Sequence, residues 1–206
     1  MMLQDAVLYG HPDSGHACKA AFALALAGVP HRRVRVDIWA PPETRPAEFR
    51  AASPFAEVPC LVTGGAALVQ SASILHEIAT RTGRLGGADA QGMIRQREIL
   101  FWEANRIGMC LPQLIESRRP GAGPFPPGAV DWLRARHAVD AARFERLIGA
   151  APFLAGAAPG IADCAVFGYA QWHDRAGVTP GPRMADWLAR MRALPEYRPP
   201  EAWFPA

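Results

Sequence analysis

The stretch "EVPCLVTGGAALVQSASILHEIATRTG", Glu57 to Gly83, holds two kinds of periodicity back to back. "PCLVT" and "AALVQ" are short apolar runs separated by Gly64-Gly65, and a glycine pair between two such runs is a hairpin turn signal. "SASILHEIATRTG" then reads as a helix opened by a serine and closed by a glycine. Pro59 stands at the mouth of the hairpin. A proline there either opens an edge strand or sits in a cis bond.

Working outward, "DAVLY" (Asp5–Tyr9) is a strand and Gly15–Gly28 a helix closed by glycine. "HRRVRVDI" (His31–Ile38) alternates with a period of two, and "PAEFRAA" (Pro46–Ala52) is a short helix beginning at proline. The order is βαβαββα. Its first βαβ unit favours a parallel pair, and the closing hairpin requires an antiparallel one. A mixed four-stranded sheet with helices on both sides is the thioredoxin-like layout. In that layout the proline entering the hairpin is cis, faces the N-terminus of the first helix, and leaves Val58 to offer its N–H and C=O to an extended ligand.

Beyond about residue 84 strand signals stop. Ala90–Ser117 reads as one long helix bent at Pro112, ended by the break "RRPGAGPFPPG". Ala129–Ile148, Ile161–Ala176 and Pro182–Ala193 read as further helices. The expected organisation is an α/β thioredoxin-like domain over residues 1–83 and an all-α domain over residues 90–206.

Composition narrows the function. Of 206 residues half are hydrophobic and a fifth charged, an ordinary globular balance that supports a sizeable core. The net charge is +3, and Lys19 is the one lysine among 22 basic residues. The densest basic cluster, "HRRVRV", alternates like a strand with one wet face, which argues against a nucleic-acid groove. Val58–His76 is the longest stretch without a charged side chain, but Pro59 and Gly64-Gly65 interrupt it, so no membrane span is expected. The N-terminus "MMLQDAVLYG" lacks a basic n-region and an apolar h-region, so no signal peptide is expected. Cys18, Cys60, Cys110 and Cys164 lie far apart, without metal spacing or a disulfide framework. A cytoplasmic protein without a metal is the expectation.

Two polar positions stand out. Ser14, in "GHPDSGHACK", opens the first helix, and Ser71 opens the helix after the hairpin, preceded by Gln70. Each serine is an N-cap by residue type, and each also places a hydroxyl beside the unpaired N–H groups of a helix start, a ready anion site.

Taken together, "LYGHPDSGHACKAAFALALAGVPHRRVRVDI", "EVPCLV", "LVQSASILHEIA" and "PFLAGAAPGIADCAVFGY" resemble the soluble glutathione S-transferases at the right spacings over nearly the whole chain. The last segment is similar to the family's Gly-x-x-Pro-Ser/Thr-x-x-Asp capping segment, with Gly160 at the Ser/Thr position and Asp163 retained. The resemblance implies a serine-type, bacterial member with Ser14 at the catalytic position, stabilising the thiolate of glutathione as co-substrate. It implies glutathione contacts from Val58, Pro59, Gln70 and Ser71. Glu57 stands where relatives carry Lys or Gln, and Arg45 is a candidate substitute partner for a glutathione carboxylate. It also implies a homodimer that conjugates small hydrophobic electrophiles in detoxification. A glutathione-dependent peroxidase or reductase, and a non-catalytic binding or regulatory protein, are the alternatives.

For the electrophile pocket, Tyr9, His16, Trp102, Asn105 and Met109 are the candidates, with Phe101 and Cys110 on the same stripe and Trp172 further on. An aromatic and methionine stripe at helical spacing fits a packed core face equally. Cys18, one helical turn beyond Ser14, reads as a packing residue.

Overall fold

Successive side chains of the first strand, β1 (Ala6–Gly10), face opposite ways, and this alternation sets the layers of the N-terminal half. Leu8 enters the main core, shared with α1 (Gly15–Leu26) and α3 (Ser71–Thr82). Tyr9 enters a smaller core with Val36, Phe49 and Cys60, beneath α2 (Ala47–Ala52). The computed structural model describes residues 3–205. In it β2 (His31–Arg35) pairs parallel to β1, β3 (Cys60–Thr63) antiparallel to β1, and β4 (Ala66–Val69) antiparallel to β3. The sheet order is β2-β1-β3-β4. This is the thioredoxin-like domain expected from the hairpin, and the Val58–Pro59 bond is cis. A short 3-10 turn at Pro42–Thr44, unread in the sequence, lies in the connection after β2.

The rest of the described chain is helical: α4 (Ala90–Ala104), α5 (Ile107–Glu116), α6 (Ala129–Ile148), α7 (Ile161–Ala170), α8 (Pro182–Arg192) and α9 (Pro200–Trp203). The single long helix expected over Ala90–Ser117 is two helices. The chain breaks at Asn105 and Arg106, with Arg106 at φ −130° and ψ −96°, and not at Pro112. Glu103 turns inward just before the break and lies so close to Gly108 that a Cβ there would stand 2.3 Å from its Oε1. Pro112 sits inside α5, where its missing N–H leaves one carbonyl free without ending the helix. The helix beginning at Ile161 ends at Ala170 and not Ala176, and α9 was not anticipated.

The start of α7 explains how glycine occupies the N-cap position there. Asp163 Oδ2 accepts from the Gly160 N–H at 3.0 Å, while its Oδ1 accepts from the Leu154 N–H and from Trp187 Nε1. The missing side-chain cap is supplied from α4, because Gln96 Oε1 accepts from the Ala162 N–H at 2.8 Å. Gly160 makes room for it, since a Cβ there would meet Gln96 Nε2 at 2.1 Å.

Gln96→Ala should therefore leave a buried N–H unpaired and cost about 1–3 kcal/mol in denaturant melts. Gly160→Ser should also destabilise the otherwise unchanged chain. In the Gln96→Ala background it should recover stability, because the space is then free and serine caps well. Simple additivity of the two losses would show that Gln96 is not the cap.

Candidate active site

Helix α1 starts at the carboxyl end of β1, so its first turn faces the junction between the sheet domain and the helical half. Ser14 is its N-cap: Oγ accepts from the Ala17 N–H at 3.2 Å, and the residue is buried. Since the oxygen accepts that bond, the hydroxyl proton remains available to a ligand.

Above Ser14 lies a cleft of about 740 Å³. Its sheet-domain wall carries Arg45, Glu57, Val58, Pro59, Gln70 and Ser71, and its helical wall carries Ala104, Gly108, Met109, Pro112 and Gln113. His16 and Lys19 line it from α1. Val58 makes no backbone hydrogen bond among the described residues, so its peptide edge is free to pair. Gln70 is held at φ +66°, a strained conformation for a residue with a side chain, and directs the chain into α3. The N–H groups of the first turn of α3 have no partner within the helix, and Ser71 stands beside them.

A second recess of about 190 Å³ shares Ser14. Trp39, Ile38, Pro112, Ile115, Tyr169 and Trp172 supply apolar walls. Arg119 stacks over Trp39 at 4.5 Å and Arg175 over Trp172 at 4.7 Å. The arginines also pair with Glu116 at 2.7 Å and Asp13 at 3.0 Å, which leaves the recess balanced in charge.

The residues singled out in the sequence divide accordingly. Ser14, His16, Arg45, Glu57, Val58, Pro59, Gln70, Ser71 and Met109 share the main cleft. Tyr9 does not, because its place in β1 turns it to the α2 side, against Phe49. Trp102 packs on the main core, Asn105 is exposed where α4 ends, Cys110 is buried, and Phe101 is 71% exposed. Arg45 lines the cleft, but its guanidinium is engaged with the carbonyls of Ile38, Ala40 and Ala56 and so clamps the β2–β3 connection. Glu57 accepts a long 3.4 Å bond from Gln70 Nε2. Trp39, Tyr169 and the two arginines of the recess were not found in the sequence. They meet only through tertiary packing, and an isolated Trp or Arg in a loop carries no periodic signal.

Electrostatics around α1 are set by burial. Lys19 and Glu103 form a sealed pair at 2.8 Å, and burial pushes the Glu103 carboxyl up against the opposing pull of Lys19. Burial, with Lys19 nearby, lowers His16 to about 3, so the imidazole is neutral at physiological pH. All four cysteines are buried and free. Burial pushes the thiols of Cys60 and Cys110 up to about 11, and those of Cys18 and Cys164 are also raised. Among the described residues no cluster of His, Cys, Asp or Glu could hold a metal ion, and no helix is long and apolar enough to cross a membrane.

The fold and cleft define a thioredoxin-like domain joined to an all-helical one, with the start of α1 at their junction. Residues 14–81 match the family model described as "Glutathione S-transferase, N-terminal domain". A glutathione S-transferase from Xanthobacter autotrophicus has 26% identity and a TM-score of 0.81, the match covering 94% of this chain and 96% of that one. A Rhodopseudomonas palustris protein described as a possible glutathione S-transferase has 25% identity and a TM-score of 0.86, over 95% and 98% of the two chains. The fold is shared at 19% identity by a Pseudomonas fluorescens glutathione transferase family member solved with two glutathione bound, with a TM-score of 0.82 over 94% and 90% of the chains. No curated protein matches. Residues 14–81 thus carry a glutathione S-transferase N-terminal domain, and the chain shares the fold of glutathione S-transferases over 94% of its length.

Two outcomes follow from the burial. The thiols should react slowly with a disulfide reagent in the folded protein and fully after denaturation, and Cys18→Ala should leave any conjugation nearly intact. His16 is neutral in the fold but titrates near 6.5 when unfolded, so acidification from about pH 6.5 towards 3 protonates the unfolded chain preferentially and removes stability. His16→Asn should flatten the pH dependence of stability in that window by about one proton, measured by melts across pH.

Proposed function

We propose that this protein is a glutathione transferase that conjugates glutathione to small hydrophobic electrophiles, with Ser14 donating to the thiolate. The observation that carries this reading is a hydroxyl at the first turn of α1, in the same cleft as the free peptide edge of Val58 and the start of α3 at Ser71. The peptide-like body of glutathione suits Val58, and a carboxylate suits the α3 amides with Ser71. The apolar recess on the other side of Ser14 suits the electrophile. The glutathione-bound relative of the same fold supports the choice of ligand.

The chemistry asked of the chain is modest. Lowering a thiol pKa by about 2 units takes about 2.7 kcal/mol of preference for the thiolate. A hydrogen bond to a charged acceptor supplies about 1.5–3 kcal/mol, and a helix N-terminus about 0.3–1 more. The thiolate then attacks the electrophile's carbon, a C–S bond forms, and the leaving group departs with its electron pair or the added carbon takes up a proton. No general base is needed, and positioning supplies the rest.

A second reading, binding without turnover, is favoured by Glu57. Its carboxylate stands in the cleft where relatives carry a Lys or Gln, and the Arg45 guanidinium is already engaged with loop carbonyls. Association of two copies is part of the proposal, since Phe55 at 58% and Phe101 at 71% exposure are apolar side chains a second copy would cover.

Retention on immobilised glutathione, with conjugation to a chlorodinitrobenzene-type acceptor, tests the reading. Ser14→Ala should lower turnover about 10- to 150-fold, matching loss of one charged hydrogen bond, with a much smaller change in glutathione affinity. The bound thiol's pKa, followed by ultraviolet titration, should rise. Binding with no turnover would favour the second reading, and neither in a folded protein would overturn both.

A further inference from the structure

The single lysine of the chain is spent inside it. Lys19 is 1% exposed, on the α1 turn after Ser14, and its Nζ has three acceptors: Glu103 Oε1 at 2.8 Å, Glu103 Oε2 at 2.9 Å and His16 Nδ1 at 3.1 Å. An ammonium has three N–H bonds and no acceptor. His16 Nδ1 therefore has to offer its lone pair, and in a neutral imidazole the proton then resides on Nε2. Ser71 Oγ also approaches Nδ1, at 3.4 Å, but that lone pair is already used. The opposite edge of the ring carries Nε2. Among the described residues it has no hydrogen-bond partner, and it is not among the buried polar atoms left unsatisfied. His16 lines the cleft that also holds Ser14, two residues earlier in the chain. Tyr169 packs edge-on against the ring at 4.8 Å and holds its plane.

We propose that the Lys19–Glu103 pair fixes His16 in the Nε2–H tautomer, so that His16 presents a second hydrogen-bond donor to the ligand sulfur beside the Ser14 hydroxyl. This rests on the glutathione reading above for the identity of the sulfur, but the tautomer stands on the geometry of the chain alone. Lys19 and Glu103 are then positioning residues, and His16 touches the ligand. Neutrality matters to the arrangement: a charged imidazolium would need Nδ1–H to face the Lys19 ammonium. Burial and Lys19 both oppose that charge. A ring so held remains one fixed donor at physiological pH.

The test has two arms on the full chain. Long-range proton–nitrogen NMR of histidine-labelled protein should show His16 with Nε2 protonated and Nδ1 bare, unchanged down to about pH 5. In the paired variant Lys19→Met with Glu103→Gln, which removes both charges together, the signals should move towards a mixture of tautomers. An Nδ1–H tautomer in the unaltered chain overturns the proposal whatever glutathione does. In the second arm, His16→Ala should raise the pKa of bound glutathione's thiol and lower kcat/KM about 10-fold, and His16→Asn, which keeps an N–H donor, should restore most of both. No change in the thiol on His16→Ala, with Ser14→Ala still effective, overturns the donor role and leaves the transferase reading intact. Failure of the unaltered protein to bind glutathione overturns the transferase reading and the sulfur as partner, even where the tautomer is as stated.

Discussion

The position of α1 depends on one sealed contact, the Lys19–Glu103 pair that joins it to the end of α4. Removing two charges from water costs several kcal/mol for each, and only close geometry with every proton and lone pair used recovers it. Here Nζ is fully partnered, and the lysine stem runs over Gly168 of α7, where a Cβ would stand 2.4 Å from its Cγ. The space fits a thin stem and a compact ammonium. A planar arginine fork is wider and presents five donors, which explains why an arginine-rich sequence keeps a lysine here. The same inward turn of Glu103 accompanies the break between α4 and α5, so the pair also shapes the helical wall of the cleft.

A second constraint holds the two halves at that distance. Gly15 and Gly168 face each other across α1 and α7, and a Cβ on either would come within about 3 Å of the other's carbonyl oxygen, at 2.7 and 2.6 Å. Small residues at a helix crossing permit close approach, which seats the Tyr169 ring directly on Gly15. One wall of the recess beside Ser14 is thus a consequence of how tightly α1 and α7 pack. Structural and functional requirements converge on the same turn of α1, where Ser14 caps, Gly15 packs, His16 faces the cleft and Lys19 anchors.

What could be read in the sequence was local. Gly64-Gly65, the proline before the hairpin, and serine and glycine at the ends of α3 carry their geometry in their own chemistry, so the sheet domain and the residues around Val58 and Ser71 were legible. Tyr9 was misplaced because a strand reverses its face at every residue, and its neighbours fix the direction only after folding. The break at Asn105 had no proline or glycine to announce it; its companion is an ion pair spanning 84 positions. Gln96 capping Ala162, 66 positions away, is the same kind of fact. Such pairings join residues that are unremarkable singly, and one sequence offers no way to connect them.

The charge layout of the cleft then limits how a glutathione-like ligand lies in it. Lys19 is cancelled by Glu103, and the arginines of the recess are matched by Glu116 and Asp13. Arg45 spends its donors on carbonyls, while Glu57 adds a negative charge on the sheet-domain wall. Among the described residues, no free cation of the cleft is therefore available to draw in a carboxylate by charge alone. The favourable anion positions that remain are made of dipoles, at the starts of α1 and α3, where the positive end of each helix stands beside a serine hydroxyl. Dipolar sites are short-ranged and directional, so binding should depend on geometry more than on net attraction. A ligand with one anionic group for each helix start, joined by a peptide edge for Val58, fits that pattern. An anion without that spacing gains little here, which makes the arrangement selective without an unpaired positive charge among the described residues of the cleft.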